Sequence, residues 1–327
     1  NTGSEAMAAA VRAARTVTAR DWIAVFNGDY HGISDELLVA GVAGPDGERK
    51  TVPVAPGIPE SLVQNVLVVD YEDPNCIDIL RANADRLAAV IVEPVPSRRP
   101  DFQPREVIAR VRELTAEKGI ALIFDEMLTG FRLHPRGAQG YYGIDADIVA
   151  YGKILSGGLP MAAVAGKAEY LDAFDGGAWR FGDDSFPERR VTFFGGTFVR
   201  HPVSMAASIA VLDRLREEGP GLQEGISARA EELTDRLNGL FDRTGAPMRL
   251  SRAGSMLHLG FQDESPLCRL IFFYLREKGV HWWDRPAFLS AAHSPADLDT
   301  IVTVFEESIA EMQAARFLPG EPPAPPE

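Results

Sequence analysis

The sequence predicts an α/β protein, with a mainly parallel central sheet flanked by helices and a smaller C-terminal α+β domain. Three observations carry this expectation. Short apolar runs at 22–26, 66–69, 88–92, 121–124, 148–150 and 161–165 alternate with helical stretches. Several of these runs are near-continuous in Val, Ile, Leu and Ala, as suits strands buried on both faces of a parallel sheet. After residue 197 the rhythm changes to long helices around a few strands.

Taken in order, residues 5–15 (EAMAAAVRAAR) are alanine-rich and read as a helix before the first strand. The stretch 104–118 begins with a proline in its first turn, where a missing N–H costs nothing, and reads as a helix between two strands. This strand–helix–strand rhythm is that of an α/β domain. Beyond residue 197, helices are expected at 204–217 and 227–244. Strand-like sequence follows at 249–260, a helix near 266–277, an apolar stretch at 281–283, and a last amphipathic helix at 294–315. The turn Gly219-Pro220-Gly221 places the domain boundary near 215–222, giving domains at 1–218 and 219–316. Residues 317–327 are expected to be a linker or tail, because five of the last ten residues are proline.

The composition of the 327 residues is that of a globular protein, 46% hydrophobic and 24% charged, which excludes disordered, collagen-like and disulfide-scaffold classes. A formal charge of −14 is repelled by phosphate backbones and anionic lipid, so nucleic acid and membrane are not expected partners. Two isolated cysteines, Cys76 and Cys268, build no disulfide framework and no metal site, and point to a reducing, cytoplasmic compartment. No apolar run has the length of a membrane helix. The chain starts at Asn1 without a Met, and a preceding segment is expected to be missing from this numbering.

Three constellations carry chemistry. NTGSE at 1–5 stands directly before the alanine-rich helix: Gly3 lets a ligand approach, Ser4 can cap the helix or offer its hydroxyl, and a helix N-terminus receives phosphate. ALIFDEMLTGF at 121–131 places Asp125 and Glu126 at the C-terminal end of an apolar strand, the edge where open α/β sheets bind ligands. A carboxylate held there needs a positive partner, either a core arginine or the protonated nitrogen of a pyridine ring. DIVAYGKILSGGLP at 147–160 holds Lys153, which alone of the five lysines follows a buried strand and precedes a Gly-Gly turn. Burial lowers a lysine pKa, and the neutral amine is the form that attacks carbonyls.

Secondary candidates lie between these. Tyr30 and His31 stand between glycines in GDYHG, Glu93 ends a strand in AVIVEPVPSRR, Arg98 and Arg99 follow it, and Thr197 sits in a Gly-Gly-Thr turn.

A carboxylate after one strand, a lysine after a later one and an upstream Gly/Ser loop together suggest pyridoxal-phosphate chemistry. The chain resembles the class III aminotransferases of fold type I, within them the glutamate-1-semialdehyde aminomutase branch. The resemblance lies in NTGSEA (1–6), FNGDYHG (26–32), VIVEPV (90–95), LIFDEMLTGFR (122–132), YGKILSGGLP (151–160) and GGTFVRHP (195–202). Four segments (93–104, 175–188, 192–202 and 288–299) are similar to aminotransferase domains of polyketide and nonribosomal-peptide assembly lines.

The resemblance implies that pyridoxal 5′-phosphate is the cofactor, that Lys153 bonds covalently to it and shuttles a proton, and that Asp125 pairs with its ring nitrogen. Tyr30 would stack on one ring face and Met127 pack on the other. Gly3 and Ser4 would hold the phosphate, and Thr197 would reach the phosphate of the neighbouring subunit of a homodimer. His31 would belong to the cofactor site and, with Glu93, shape the substrate side, with Arg98 a further substrate candidate. The implied activity is amino transfer from an amino-acid donor to a β-keto acyl chain on a carrier protein, which basic residues (98, 99 and 105, or 180, 189 and 190) would receive. Two alternatives stand beside it: a free-standing aminomutase or aminotransferase on a small soluble substrate, and a catalytically silent dimerisation domain. The family's segment before the phosphate loop is absent here, and Met127 replaces a smaller aliphatic residue.

Overall fold

The structure is a computed structural model, and it describes residues 1–44, 49–262, 265–284 and 286–320. The chain divides into two compact units, one of residues 1–96 and 103–217, the other of residues 97–102 and 218–327.

The first unit opens with α1 (Gly3–Thr18), capped by the Thr2 side chain on the Glu5 amide and by Glu5 in return. Thr2, not Ser4, is therefore the N-cap, and Ser4 lies inside the first turn. Alanines 6, 9, 10, 13 and 14 are buried, and the small face they form brings α1 onto the sheet. Then follow β1 (Trp22–Phe26), the antiparallel pair β2 (Val39–Ala43) and β3 (Arg49–Pro53), the short α2 (Glu60–Val63), and β4 (Val66–Val69). After α3 (Cys76–Ala82) come β5 (Leu87–Val92), α4 (Arg105–Lys118), β6 (Ala121–Glu126), α5 (Gly137–Tyr142), β7 (Ile148–Tyr151), β8 (Ala163–Gly166), α6 (Ala168–Leu171) and α7 (Pro202–Glu218).

The main sheet has the order β4-β1-β5-β6-β7-β8, parallel throughout except for β8, which runs antiparallel to β7. All six residues of β5 and of β6 are buried. From β1 the chain crosses outward to β4, and from β5 it steps the opposite way to β6 and β7. The reversal between β1 and β5 is a topological switch point, and the carboxyl ends of the neighbouring strands are where such a sheet gathers ligands.

The second unit has the long α8 (Pro220–Thr244), the hairpin β9 (Met248–Ala253) and β10 (Met256–Phe261), α9 (Ile271–Glu277), β11 (Ala287–Phe288) and α10 (Pro295–Ala314). Its core joins Leu237, Phe241, Leu257, Ile271, Phe305 and Ile309. Two sequence expectations shift here. The Gly-Pro-Gly turn is the start of α8, not a break before it: Gly219 is the N-cap and Pro220 takes the first position. The fold does not stop at Arg316, because Leu318 is buried in this core and Phe317 packs against it. Residues 321–327 of the proline-rich tail lie outside the described residues. Cys76 and Cys268 are both buried, and neither is in a disulfide. No described helix is long and apolar enough to cross a membrane.

Candidate active site

The carboxyl ends of four adjacent strands, β4, β1, β5 and β6, each deliver a polar side chain to one place. After β1 the chain turns through Gly28 and Gly32, both at positive φ, so that Asp29, Tyr30 and His31 are presented over a short span. His31 is 2% exposed, and its Nδ1 lies 2.9 Å from Asp125 Oδ2 at the end of β6. Asp125 Oδ1 accepts from the Met127 amide at 3.1 Å. Asp29 Oδ2 accepts from the Tyr71 hydroxyl, just beyond β4, at 2.8 Å and from the Glu93 amide, just beyond β5, at 2.9 Å. The Tyr71 ring stacks on Phe26 at 3.7 Å, which fixes its hydroxyl. Tyr30 is half exposed, and its amide donates to Glu93 Oε2 at 3.4 Å.

Lys153 follows β7, the neighbour of β6, with Asp125 in register with Ala150. Its φ of 48° is left-handed, a conformation that costs a non-glycine residue about 1–3 kcal/mol and clusters at functional sites. Lys153 has solvent-accessible surface. Even so, the protein packed around its ammonium disfavours the charge and lowers its pKa; Asp125 and Glu93 pull it back up, and Arg132 adds to the lowering. An amine that is reachable yet easier to deprotonate than ordinary lysine suits attack on a carbonyl.

Met127 ties the start of α1 to the Lys153 strand. A Cβ added at Gly3 would stand 3.0 Å from the Met127 sulfur, and one at Gly152 would stand 2.6 Å from it. Ser4 Oγ accepts from the Ile33 amide at 3.0 Å, so the first turn of α1 is fastened to the residues that follow His31.

The sequence-predicted residues thus divide. Gly3, Ser4, Tyr30, His31, Glu93, Asp125 and Met127 are linked by these contacts, and Lys153 by the charges of Asp125 and Glu93. His31 does not shape a substrate face: both ring nitrogens are buried, Nδ1 against Asp125 and Nε2 without a hydrogen-bond partner. Glu93 is buried too, at 6% exposure, and engages Tyr30. Thr197 is exposed on the irregular segment 192–201. Arg98 is exposed and belongs to the second unit. Of the basic positions suggested for a carrier, Arg105 is committed to the Tyr142 carbonyl, with Nε and Nη2 at 3.1 and 3.0 Å, and Arg99 stacks over Phe102. Three participants escaped the sequence reading: Asp29, Tyr71 and the buried Arg132, whose pKa burial pushes down to about 10. Asp29 lies in the motif GDYHG, where no local pattern sets it apart from its aromatic neighbours.

Glu126 is fully buried beside this cluster. It accepts from Thr129 Oγ1 at 3.0 Å and from the amides of Ala138 and Gln139 at 2.6 and 3.3 Å, so it holds the loop after β6 against α5. Burial raises its pKa to about 7 despite those donors. A cavity of about 590 Å³ in the same unit lies elsewhere, among Thr2, Arg12, Met161, Phe194, Ser204 and Met205; it does not include Lys153 or Asp125.

The Aminotransferase class-III family matches residues 1–285. The chain belongs to this family of pyridoxal-phosphate-dependent transaminases. It is 40% identical to the glutamate-1-semialdehyde 2,1-aminomutase of Aeropyrum pernix over 261 residues, 79% of this chain and 57% of that relative. The chain therefore spans little more than half of that relative's length. An omega-transaminase from Sphaerobacter thermophilus superposes with a TM-score of 0.83 at 29% identity, covering 97% of this chain and 73% of the other. A transaminase with PLP bound gives 0.83 at 28% identity, over 96% and 73% of the two chains. The fold is that of the type I PLP transaminases.

The residues of this class III aminotransferase fit the cofactor. The start of α1, with Gly3 and Ser4 in its first turn, offers an anion seat. Gly3 and Gly152 leave room only for the Met127 sulfur, and the Asp125 carboxylate and the Lys153 amine end neighbouring strands.

Proposed function

We propose that this chain is a pyridoxal-phosphate-dependent aminotransferase of the glutamate-1-semialdehyde aminomutase type, acting on a small soluble amino- or carbonyl-bearing acid. The observation that carries the reading is the pairing of β6 with β7, which sets Asp125 and Lys153 at adjacent strand ends, with an easily deprotonated amine on Lys153. When bound, the cofactor supplies an aldehyde carbon and an electron-accepting ring. Asp125 would hold the ring nitrogen in its protonated form, steadied by His31 and by the Met127 amide. Gly3 and Ser4 would seat the phosphate, Tyr30 would cover one ring face, and Met127 would pack on the other. The Lys153 Nζ would carry the cofactor between turnovers and move the proton at the substrate α carbon.

The names of the relatives support a small free substrate over an acyl chain tethered to a carrier protein, which rests on segment similarity alone. A homodimer is supported by the large apolar side chains that one stretch of the first unit leaves exposed: Phe181, Phe193 and Phe198 are 99%, 78% and 64% exposed, and Val203 and Ile209 on α7 are exposed too. Exposed apolar surface of this kind needs a covering partner. Thr197 lies in the same stretch of chain and would face the partner's phosphate.

The test is an absorption spectrum of the cofactor-loaded protein beside Lys153→Ala. A borohydride-reducible visible band in the parent only, lost on adding an amino donor, is the expected result. No band in the parent would end the cofactor assignment. A loaded parent that aminates only carrier-bound keto acids, and not free glutamate 1-semialdehyde, would reverse the choice of substrate.

A further inference from the structure

Asp29 has no role in the proposed chemistry, yet its side chain is buried and faces the one imidazole in the site. Its Oδ2 stands 3.9 Å from His31 Nε2, with both side chains at 1% exposure. On the other side of the ring, Nδ1 is 2.9 Å from Asp125 Oδ2. The imidazole thus lies between two carboxylates. The ionisable groups around it come from four neighbouring strand ends: Asp29 after β1, Tyr71 after β4, Glu93 after β5 and Asp125 on β6.

This geometry restricts where the protons sit. Asp125 is an acceptor, so Nδ1 carries a proton toward it. Nε2 then has two options. Deprotonated, it aims a lone pair at the Asp29 carboxylate, whose two donors, the Tyr71 hydroxyl and the Glu93 amide, are neutral. Protonated, it completes a cation between two anions. Among the described residues, Nε2 and Asp29 Oδ1 are both buried without hydrogen-bond partners, so each side chain gains from the charge of the other. The second option is the stable one.

We propose that Asp29 is a positioning residue that, from the rear of the His31 ring, holds the imidazole as a cation and so keeps Asp125 a carboxylate aimed from the end of β6. The Tyr71 hydroxyl and the Glu93 amide fix the Asp29 carboxylate in that attitude. Burial alone would lower the His31 pKa, but the bond to Asp125 and the charges of Asp125, Asp29 and Glu93 raise it. Burial raises the Asp29 pKa, against the pull of His31. The consequence for the cofactor rests on the proposed pairing of Asp125 with the ring nitrogen; the clamp itself does not.

The test is nitrogen-15 NMR of the histidine rings in the full chain, first without cofactor, with His31→Asn identifying the signal. Both His31 nitrogens are expected to be protonated at pH 7. In Asp29→Asn, one amide oxygen can still accept from Tyr71 and Glu93, so the fold is retained, while the His31 titration midpoint falls by about one to three pH units for the loss of a neighbouring charge. A merely structural role would lower the melting temperature and leave the midpoint in place. An unchanged midpoint in folded Asp29→Asn overturns the proposal. Should that variant not fold, a bare Nε2 at pH 7 in the parent overturns it equally. A cationic His31 in a protein that binds no cofactor would uphold the clamp while removing the proposed function.

Discussion

Two glycines, four residues apart after β1, separate backbone strain from steric exclusion at the proposed phosphate seat. Gly28 has φ +90° and Gly32 φ +97°, so alanine at either forces an L-residue into a left-handed conformation, at about 1–2 kcal/mol. Their surroundings differ. A Cβ at Gly28 meets nothing within 4 Å, whereas one at Gly32 would stand 2.6 Å from Ser4 Oγ and 2.9 Å from Ser4 Cα, well inside the 3.4 Å at which ordinary contact begins. The hydroxyl could rotate away, but only by giving up the bond from the Ile33 amide, worth about 1 kcal/mol. The Cα cannot rotate; the first turn of α1 must move. Overpacking of this kind adds about 1–3 kcal/mol. Gly32→Ala is therefore expected to be less stable than Gly28→Ala by that margin in urea unfolding. Because the displaced turn is the proposed phosphate seat, the affinity of Gly32→Ala for pyridoxal phosphate in an absorbance titration should fall roughly tenfold or more below that of Gly28→Ala. Equal stability and equal affinity in the two variants would refute both the packing of Ser4 on Gly32 and the assignment of the seat.

Asp125→Asn removes a charge-assisted bond worth about 1.5–3 kcal/mol, so cofactor affinity by equilibrium dialysis should drop roughly 10–150-fold; a change within twofold would detach Asp125 from the ring nitrogen. Glu126 titrates near 7 in the fold against 4.5 as a free side chain, because burial penalises its charge. Its stabilising influence is therefore complete below pH 4.5 and lost as pH rises through 7, at a cost of about 3 kcal/mol. Glu126→Gln should gain stability relative to the parent between pH 5 and pH 8 in parallel thermal melts, and a difference independent of pH would show that the carboxyl stays ionised throughout. Ile209→Asp, on the exposed face of α7, should convert a dimer to a monomer in light scattering at micromolar concentration; a parent already monomeric there would dispose of the second copy.

Much of the fold was legible because its strands are buried on both sides. A run such as Leu-Ala-Ala-Val-Ile-Val admits little besides a central strand, and strands β1 and β4 begin and end where the apolar runs do. The pair β2 and β3 (Val-Ala-Gly-Val-Ala and Arg-Lys-Thr-Val-Pro) is half exposed, short and mixed in character, and no apolar run announces it. The helix start at Pro220 was hidden by its own signal: Gly-Pro-Gly marks a break in the chain, and a break is also how a helix begins. Residues 97–102 leave the first unit through nothing more distinctive than Ser-Arg-Arg-Pro, so the grouping of Arg98 with the second unit could not be read locally.

The site shows the same division more sharply. A polar residue that ends a buried run stands out in one dimension, and this is why Asp125, Glu93 and Lys153 could be picked from the sequence. What those residues touch is decided sideways, by the order β4-β1-β5-β6-β7, which the sequence does not contain. That order carries His31 away from any substrate face and onto Asp125, and it brings Tyr71, from the outermost strand, to hold Asp29 behind it. Lys153 and Asp125 follow consecutive strands and end up neighbours; Asp29 and Asp125 are far apart in sequence and end up on two sides of one ring. The residues that do chemistry were visible as interruptions of hydrophobic pattern. Those that set the charge state of these residues became visible only once the strands were placed side by side.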